Sequence, residues 1–233
     1  MTADADLLAR ALAADAPLTW VLTGDSITHG LVHTQGGRTY PEHLHEIIRG
    51  ELSRVHDAVI DTAISGWRIV QLLEDFDRRV ATWRPQVVTL MIGTNDCSDA
   101  GEFPVITPAE FGVSVAAFVR RVREIDAIPV LQTPPAVDVP NAPERGRIAA
   151  FAQSVRDVAA AERTILVDQY ARFEELGEGG VPWGLMNDPF HPNATGHAAL
   201  AIELATSLGL TPEPARSRTL PKLRADVAAG RLS

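Results

Sequence analysis

VLTGDSITHG (residues 21–30) is an apolar run that breaks on Gly24 and is followed at once by Asp25 and Ser26. Together with the preceding residues it reads as a short buried strand, LTWVLT (18–23), that ends on a glycine-containing turn and presents a serine. Taken alone, Gly-Asp-Ser is ordinary turn chemistry. Its meaning depends on what the other strands present at their own ends.

Four further runs have the same character: DAVIDTA (57–63), QVVTLMI (86–92), IPVLQT (128–133) and TILVDQ (164–169). Each is short and rich in Val, Ile and Leu, which predicts a buried strand. Helical patterns separate them. Ile69, Leu72, Leu73, Phe76 and Val80 fall on one face of a helix, as do Phe111, Val115, Phe118, Val119, Val122 and Ile125 behind the cap-like Thr107-Pro108. Ile148, Phe151, Val155 and Val158 make a third face, and NATGHAALAIELATSLG (193–209) a last helix. Strands that alternate with helices predict a three-layer α/β/α sandwich around a five-stranded parallel sheet. Residues 1–210 read as one domain, and 211–233 as an arm, docked or flexible.

Composition narrows the function classes. The chain has 233 residues, 45% of them hydrophobic, and a formal net charge of −9, which disfavours both nucleic acid and anionic membranes as partners. Cys97 is the single cysteine, so no internal disulfide or cysteine metal cage forms, and it reads as a small packed thiol. The acidic start MTADADLLARALAADAP lacks the pattern of a signal peptide, and no apolar segment approaches the roughly 20 residues that span a bilayer. With Met1 as the start, a soluble cytoplasmic protein is expected.

In an open parallel sheet the loops beyond the carboxyl ends of the strands share one rim, where ligands bind. The first strand delivers Gly24, Asp25 and Ser26, the second Ser65-Gly66-Trp67, and the third Gly93-Thr94-Asn95-Asp96. After the fifth strand, beyond a short helix and a loop, comes NDPFHPN (187–193), with Asp188 and His191. These residue types suit acyl transfer. A serine hydroxyl needs a base to take its proton as it attacks, and a histidine largely neutral at pH 7 can do so. Asp188 would hold the His191 ring in one tautomer. The Ser26 and Gly66 N–H groups and the Asn95 amide would receive the charge that builds on a carbonyl oxygen. On this reading the rate declines as pH falls through about 6–7.

Other readings of the same residues carry less. Asp188, His191 and His197 have poor spacing for a metal site, His197 falling one turn into the last helix, and no metal or cofactor is expected. His29, His33, His43, His45 and His56 are expected on solvated faces, with His29 nearest the site; Trp67 and Trp183 read as packing residues. No Gly-x-Gly-x-x-Gly cradle, Walker loop or Gly-x-Ser-x-Gly elbow is present.

GDSIT (24–28), ISG (64–66), GTND (93–96) and DPFHP (188–192), in that order, resemble the four blocks of the SGNH (GDSL-type) hydrolase family. The resemblance runs from about Val21 to His191. It implies a flavodoxin-like fold and metal-independent ester hydrolysis through a covalent acyl-serine. Carried over by position, it makes Ser26 the nucleophile, His191 the base and Asp188 its orienting acid, with Ser26, Gly66 and Asn95 as the oxyanion hole. One departure lies in the second block, often Asn-x-Gly-x-Ser-Gly and here Asp61-Thr62-Ala63-Ile64-Ser65-Gly66. The expected partner is a small-molecule ester. The absence of a long apolar insertion favours short acyl groups, such as acetyl esters on sugars. Long-chain acyl hydrolysis and a non-catalytic binding member of the fold are the alternatives. The segments 94–107, 134–146 and 176–187 are expected to line the pocket, with GEFPVIT (101–107) and GEGGVPWGLM (177–186) as apolar wall.

Overall fold

The computed structural model describes residues 2–101 and 103–230. Strands β1 (Thr19–Gly24), β2 (Ala58–Asp61), β3 (Val87–Met91), β4 (Ile128–Gln132) and β5 (Ile165–Val167) form one all-parallel sheet in the order β2-β1-β3-β4-β5. The helices are α1 (Ala3–Ala13), α2 (Ser26–His29), α3 (Tyr40–Leu52), α4 (Ile69–Glu74), α5 (Phe76–Arg79), α6 (Pro108–Glu124), α7 (Ile148–Glu162), α8 (Gln169–Leu176), α9 (Ala194–Ser207) and α10 (Thr219–Gly230). This is the flavodoxin-like three-layer sandwich.

Side chains alternate across the sheet with period two, so each strand feeds both cores. Trp20, Leu22, Val87, Met91 and Val167 face α1, α3, α8, α9 and α10, where Tyr40, Ile47, Phe173, Leu204 and Leu220 close the layer. Val21, Val88, Leu90 and Leu131 face α4 to α7 and meet Ile69, Phe76, Phe111, Phe118 and Phe151. The predicted helix at 107–125 begins where expected: Thr107 Oγ1 accepts from Glu110 N at 3.2 Å, and the Glu110 carboxylate accepts from Thr107 N at 2.7 Å.

Three local expectations need correction. The second run was expected to be a buried strand, but β2 is the sheet edge, with Ala58 and Asp61 exposed. The apolar face over 69–80 is two helices, because the chain turns at Asp75, whose carboxylate accepts from the Arg78 and Arg79 side chains. Trp183 is 53% exposed and packs little.

Residues 211–230 pack on the layer that α3 and α9 share. Glu51, fully buried on α3, accepts from the Arg216 N–H at 2.6 Å and the Ser217 N–H at 3.3 Å. Leu220, Leu223 and Val227 of α10 then join the core cluster that α3 and α9 share. Among the described residues no helix is long and apolar enough to cross a membrane.

A large-to-small change tests the docking of α10. Leu220 is 0% exposed, so Leu220→Ala should cost about 2–5 kcal/mol. Urea unfolding at constant m-value measures this, and a loss under about 0.5 kcal/mol, the range of ordinary surface changes, would place α10 off the core in solution.

Candidate active site

The strand order reverses between β1 and β3, so the loops leaving these neighbours diverge to opposite faces and leave a crevice. Gly24 ends β1 at φ +154, and a Cβ there would stand 1.9 Å from the Met91 carbonyl oxygen on β3. Only glycine lets the two backbones approach so closely. The next residue caps the one-turn helix α2: Asp25 Oδ1 accepts from Ile27 N at 3.0 Å, leaving Ser26 as the first helical residue on the rim.

The second and third loops are tied to this one and to each other. Ile64 to Trp67 form a turn closed by Trp67 N donating to the Ile64 carbonyl, with Gly66 at φ +82 and no atom within 4 Å of a Cβ position. Ser65, beside it, bonds His29 Nδ1 of α2 through its hydroxyl at 3.1 Å. Asn95 Nδ2 donates to the Trp67 carbonyl at 3.0 Å, which fixes the amide and leaves its second hydrogen for another acceptor. Asp96 Oδ1 accepts from Ile69 N at 2.9 Å, anchoring the same loop to the start of α4.

The histidine arrives on a tight turn between α8 and α9. Asp188 Oδ1 accepts from Phe190 N at 3.0 Å and His191 N at 2.9 Å, while Oδ2 accepts from His191 Nδ1 at 2.8 Å. A carboxylate only accepts, so Nδ1 carries the hydrogen and Nε2 offers a lone pair. That Nε2 stands 2.9 Å from Ser26 Oγ, 165 residues away in sequence, and accepts its hydroxyl hydrogen. The turn is held by Asn187 N donating to the His191 carbonyl and by Asn193, whose side chain caps α9.

Burial pushes the His191 imidazole below its ordinary pKa. Asp188 opposes this through its hydrogen bond and charge, and the nearby His33 and Arg145 add to the lowering. Burial raises Asp188, yet the Phe190 N–H and the His191 partner outweigh it and hold the carboxyl below its usual range. At neutral pH the pair is therefore imidazole and carboxylate, the state in which the ring accepts a proton. The decline with acid expected from the sequence at about pH 6–7 accordingly moves below the 6.5 of an unperturbed histidine.

The residues singled out in the sequence thus meet at one rim: Ser26, His191 and Asp188 are bonded in series, and the Gly66 and Asn95 loops are linked through Trp67. One neighbour was missed. His33, expected on a solvated face, stacks on His191 with ring centroids 3.5 Å apart and planes 10° from parallel. Its short loop has no hydrophobic periodicity that would foretell the contact. His33, Asp188 and His191 place ligand-type atoms within 4.8 Å of one another. Imidazole lone pairs lie in the ring plane, however, and two face-to-face rings cannot both aim at one ion, while Asp188 Oδ2 is already engaged. His197 is buried elsewhere, its Nδ1 accepting from Tyr40 N at 3.1 Å. Of the expected wall, Phe103, Pro104 and Ile106 line a groove of about 420 Å³ with Arg68, Val70 and Asp96. Val181, Pro182 and Trp183 line a different hollow, with Leu176 and Ala228.

The sequence profile of the GDSL-like lipase/acylhydrolase family matches residues 22–199, and the chain belongs to that family, a carboxylic ester hydrolase. It is 24% identical over 209 residues to an acetylxylan esterase of Geobacillus stearothermophilus, the match covering 84% of this chain and 94% of that one. Among solved structures, the acetylxylan esterase Axe2 of G. stearothermophilus superposes with a TM-score of 0.71 at 22% identity, covering 82% of this chain and 94% of the other. The lipase/acylhydrolase of Enterococcus faecalis gives 0.68 at 23% identity, over 82% and 95%.

The electrostatics of the turn yield a measurable value. In an imidazole NMR titration His191 should titrate below 6.5, and lower still in Asp188→Asn, where the opposing carboxylate charge is gone. A midpoint above about 7 would mean that the Asp188 charge, and not burial, governs the ring.

Proposed function

We propose that this chain hydrolyses short-chain esters, acetyl esters of carbohydrates first among them, through an acyl intermediate on Ser26. The observation that carries the reading is the unbroken series from Ser26 Oγ to His191 Nε2 at 2.9 Å and from His191 Nδ1 to Asp188 Oδ2 at 2.8 Å. Ser26 Oγ attacks the ester carbonyl carbon as its proton passes to His191 Nε2. The carbonyl oxygen, now an alkoxide, takes hydrogen bonds from the Ser26 and Gly66 N–H groups and the Asn95 amide. Collapse breaks the bond to the alcohol oxygen, which leaves with the proton from His191. Water, deprotonated by the same ring, attacks the acyl-serine; the acid departs and Ser26 regains its proton.

Two considerations support a small acyl group. Ser26 is only 6% exposed and His191 9%, so little width is open at the hydroxyl. The similarity to an acetylxylan esterase over most of both chains points the same way and adds a sugar as the alcohol. The groove beside the Asn95 loop, walled by Val70, Phe103 and Ile106, favours a second reading in which a longer acyl chain lies there.

Ser26→Ala should abolish p-nitrophenyl acetate hydrolysis and labelling by a fluorophosphonate while the melting curve stays unchanged; near wild-type turnover in that variant would refute the assignment. Asn95→Ala should lose about 10²–10³ in kcat, as for removal of one oxyanion donor. Acyl lengths from C2 to C16 distinguish the two substrate readings. Preference for acetyl, and activity on acetylated xylo-oligosaccharides, is expected, and a maximum at C12 or beyond would select the groove instead.

A further inference from the structure

His33 belongs to the loop between α2 and α3, away from the turn that carries Asp188 and His191. Its ring nevertheless covers one face of His191 at 3.5 Å, the contact thickness of two aromatic rings. Rotation of His191 about its Cβ–Cγ bond, which would swing Nε2 away from Ser26, meets that ring. His33 Nδ1 also stands 3.5 Å from Asp188 Oδ2, the oxygen that accepts from His191, and 3.4 Å from Asn187 Nδ2. A second tie joins the same two segments, Gln35 Nε2 donating to Asn187 Oδ1 at 2.9 Å. To make these contacts the loop places Val32 at φ +60 and Gln35 at φ +51. A β-branched residue rarely adopts that conformation, and it persists where the surroundings over-determine it.

We infer that His33 is a positioning residue of this site: stacked on His191, it holds the ring in the plane that aims Nε2 at Ser26. The inference rests on the reading of His191 as the base. Its charge follows from its surroundings. Burial keeps His33 below its ordinary pKa, with Asp188 opposing, so at neutral pH an uncharged ring lies against His191. The other groups around His191 are Asp188, Ser26, the tilted Phe190 ring at 4.3 Å and Arg145, which lies over Phe190.

The test compares His33→Ala with His33→Phe, which restores a flat face without a titrating group or a hydrogen bond. The Ala variant should lose about tenfold in kcat on p-nitrophenyl acetate with KM changed less than about twofold. By NMR its His191 should titrate higher, because the uncovered ring gains water and burial is the main cause of its lowering. The Phe variant should keep kcat within about threefold of wild type. An Ala variant with wild-type kcat and an unmoved His191 titration overturns the inference. So does a Phe variant as impaired as Ala, which would assign the role to the polar contact with Asp188. Should the Ala variant not fold, His33→Gln, which keeps a polar contact but no flat face, should show the same loss. Absence of wild-type turnover on every ester would refute the hydrolase reading, and the titration of His191 in these variants would still decide whether His33 clamps it.

Discussion

A methyl group on Gly24 would lie 1.9 Å from the Met91 carbonyl oxygen and 2.9 Å from Thr28 Oγ1, so the end of the first strand tolerates no side chain. Much of the rim follows from this close approach. β1 and β3 are adjacent to their last residues, Gly24 pairing with Met91, and their loops must then part to opposite layers. Ser26 and Asn95 emerge on either side of that parting. The Gly66 turn bonds to both, through His29 to α2 and through Trp67 to Asn95. Backbone packing thus places the hydroxyl and the donors first. The histidine comes from the most distant segment, 165 residues from Ser26.

The electrostatics divide along the same line. Asp25 and Asp96, beside Ser26 and Asn95 in sequence, are raised by burial to about 7 and about 6, each accepting from a backbone N–H that opposes the rise. Acids so raised bind protons more readily when folded, so their contribution to stability is present at low pH and is lost as pH rises through those values. His197 behaves oppositely. Burial lowers it to about 3 from 6.5, so the stability of keeping it neutral is present above 6.5 and is lost as pH falls towards 3. Near neutrality the two acids carry less than full negative charge beside the loops that would receive an oxyanion. The one firmly ionised carboxylate of the series, Asp188, stands behind the histidine, where its charge stabilises the imidazolium.

What the sequence disclosed was short in range. Each strand was visible as a dense Val/Ile/Leu run, and each functional block lay within a few residues of a strand end or, for Asp188 and His191, inside one turn. Helix α3 was overlooked although its start is signalled: Thr39 and Glu42 have capping-box spacing with Pro41 between them, and the Glu42 carboxylate accepts from Thr39 N at 2.7 Å. The exposure of β2 was illegible because burial of an edge depends on strand order, which no single run encodes. His33 was illegible for a related reason. Its loop packs through one stacked ring and a few polar contacts to residues more than 150 positions away, and nothing local distinguishes such a histidine from a solvated one.

These ranges bear on how the site can vary. The reacting groups sit on turns closed by their own neighbours: α2 by Asp25, the Gly66 turn by Ile64, the His191 turn by Asp188. The segments that face solvent around them are the direct continuations of those turns. Leu31 and Val32, largely exposed, follow α2, and Phe103 and Val105 follow the Asn95 loop by fewer than a dozen residues. Neither segment contributes a residue to the strand ends that hold the hydroxyl. The 31–37 loop still touches the base, since the residue that stacks on His191 lies within it. Substitutions there alter the aim of the base, whereas residues 103–106 are held by Arg68 on the Pro104 carbonyl and Arg147 on the Ile106 carbonyl, with no hydrogen bond to Ser26 or His191 among the described residues.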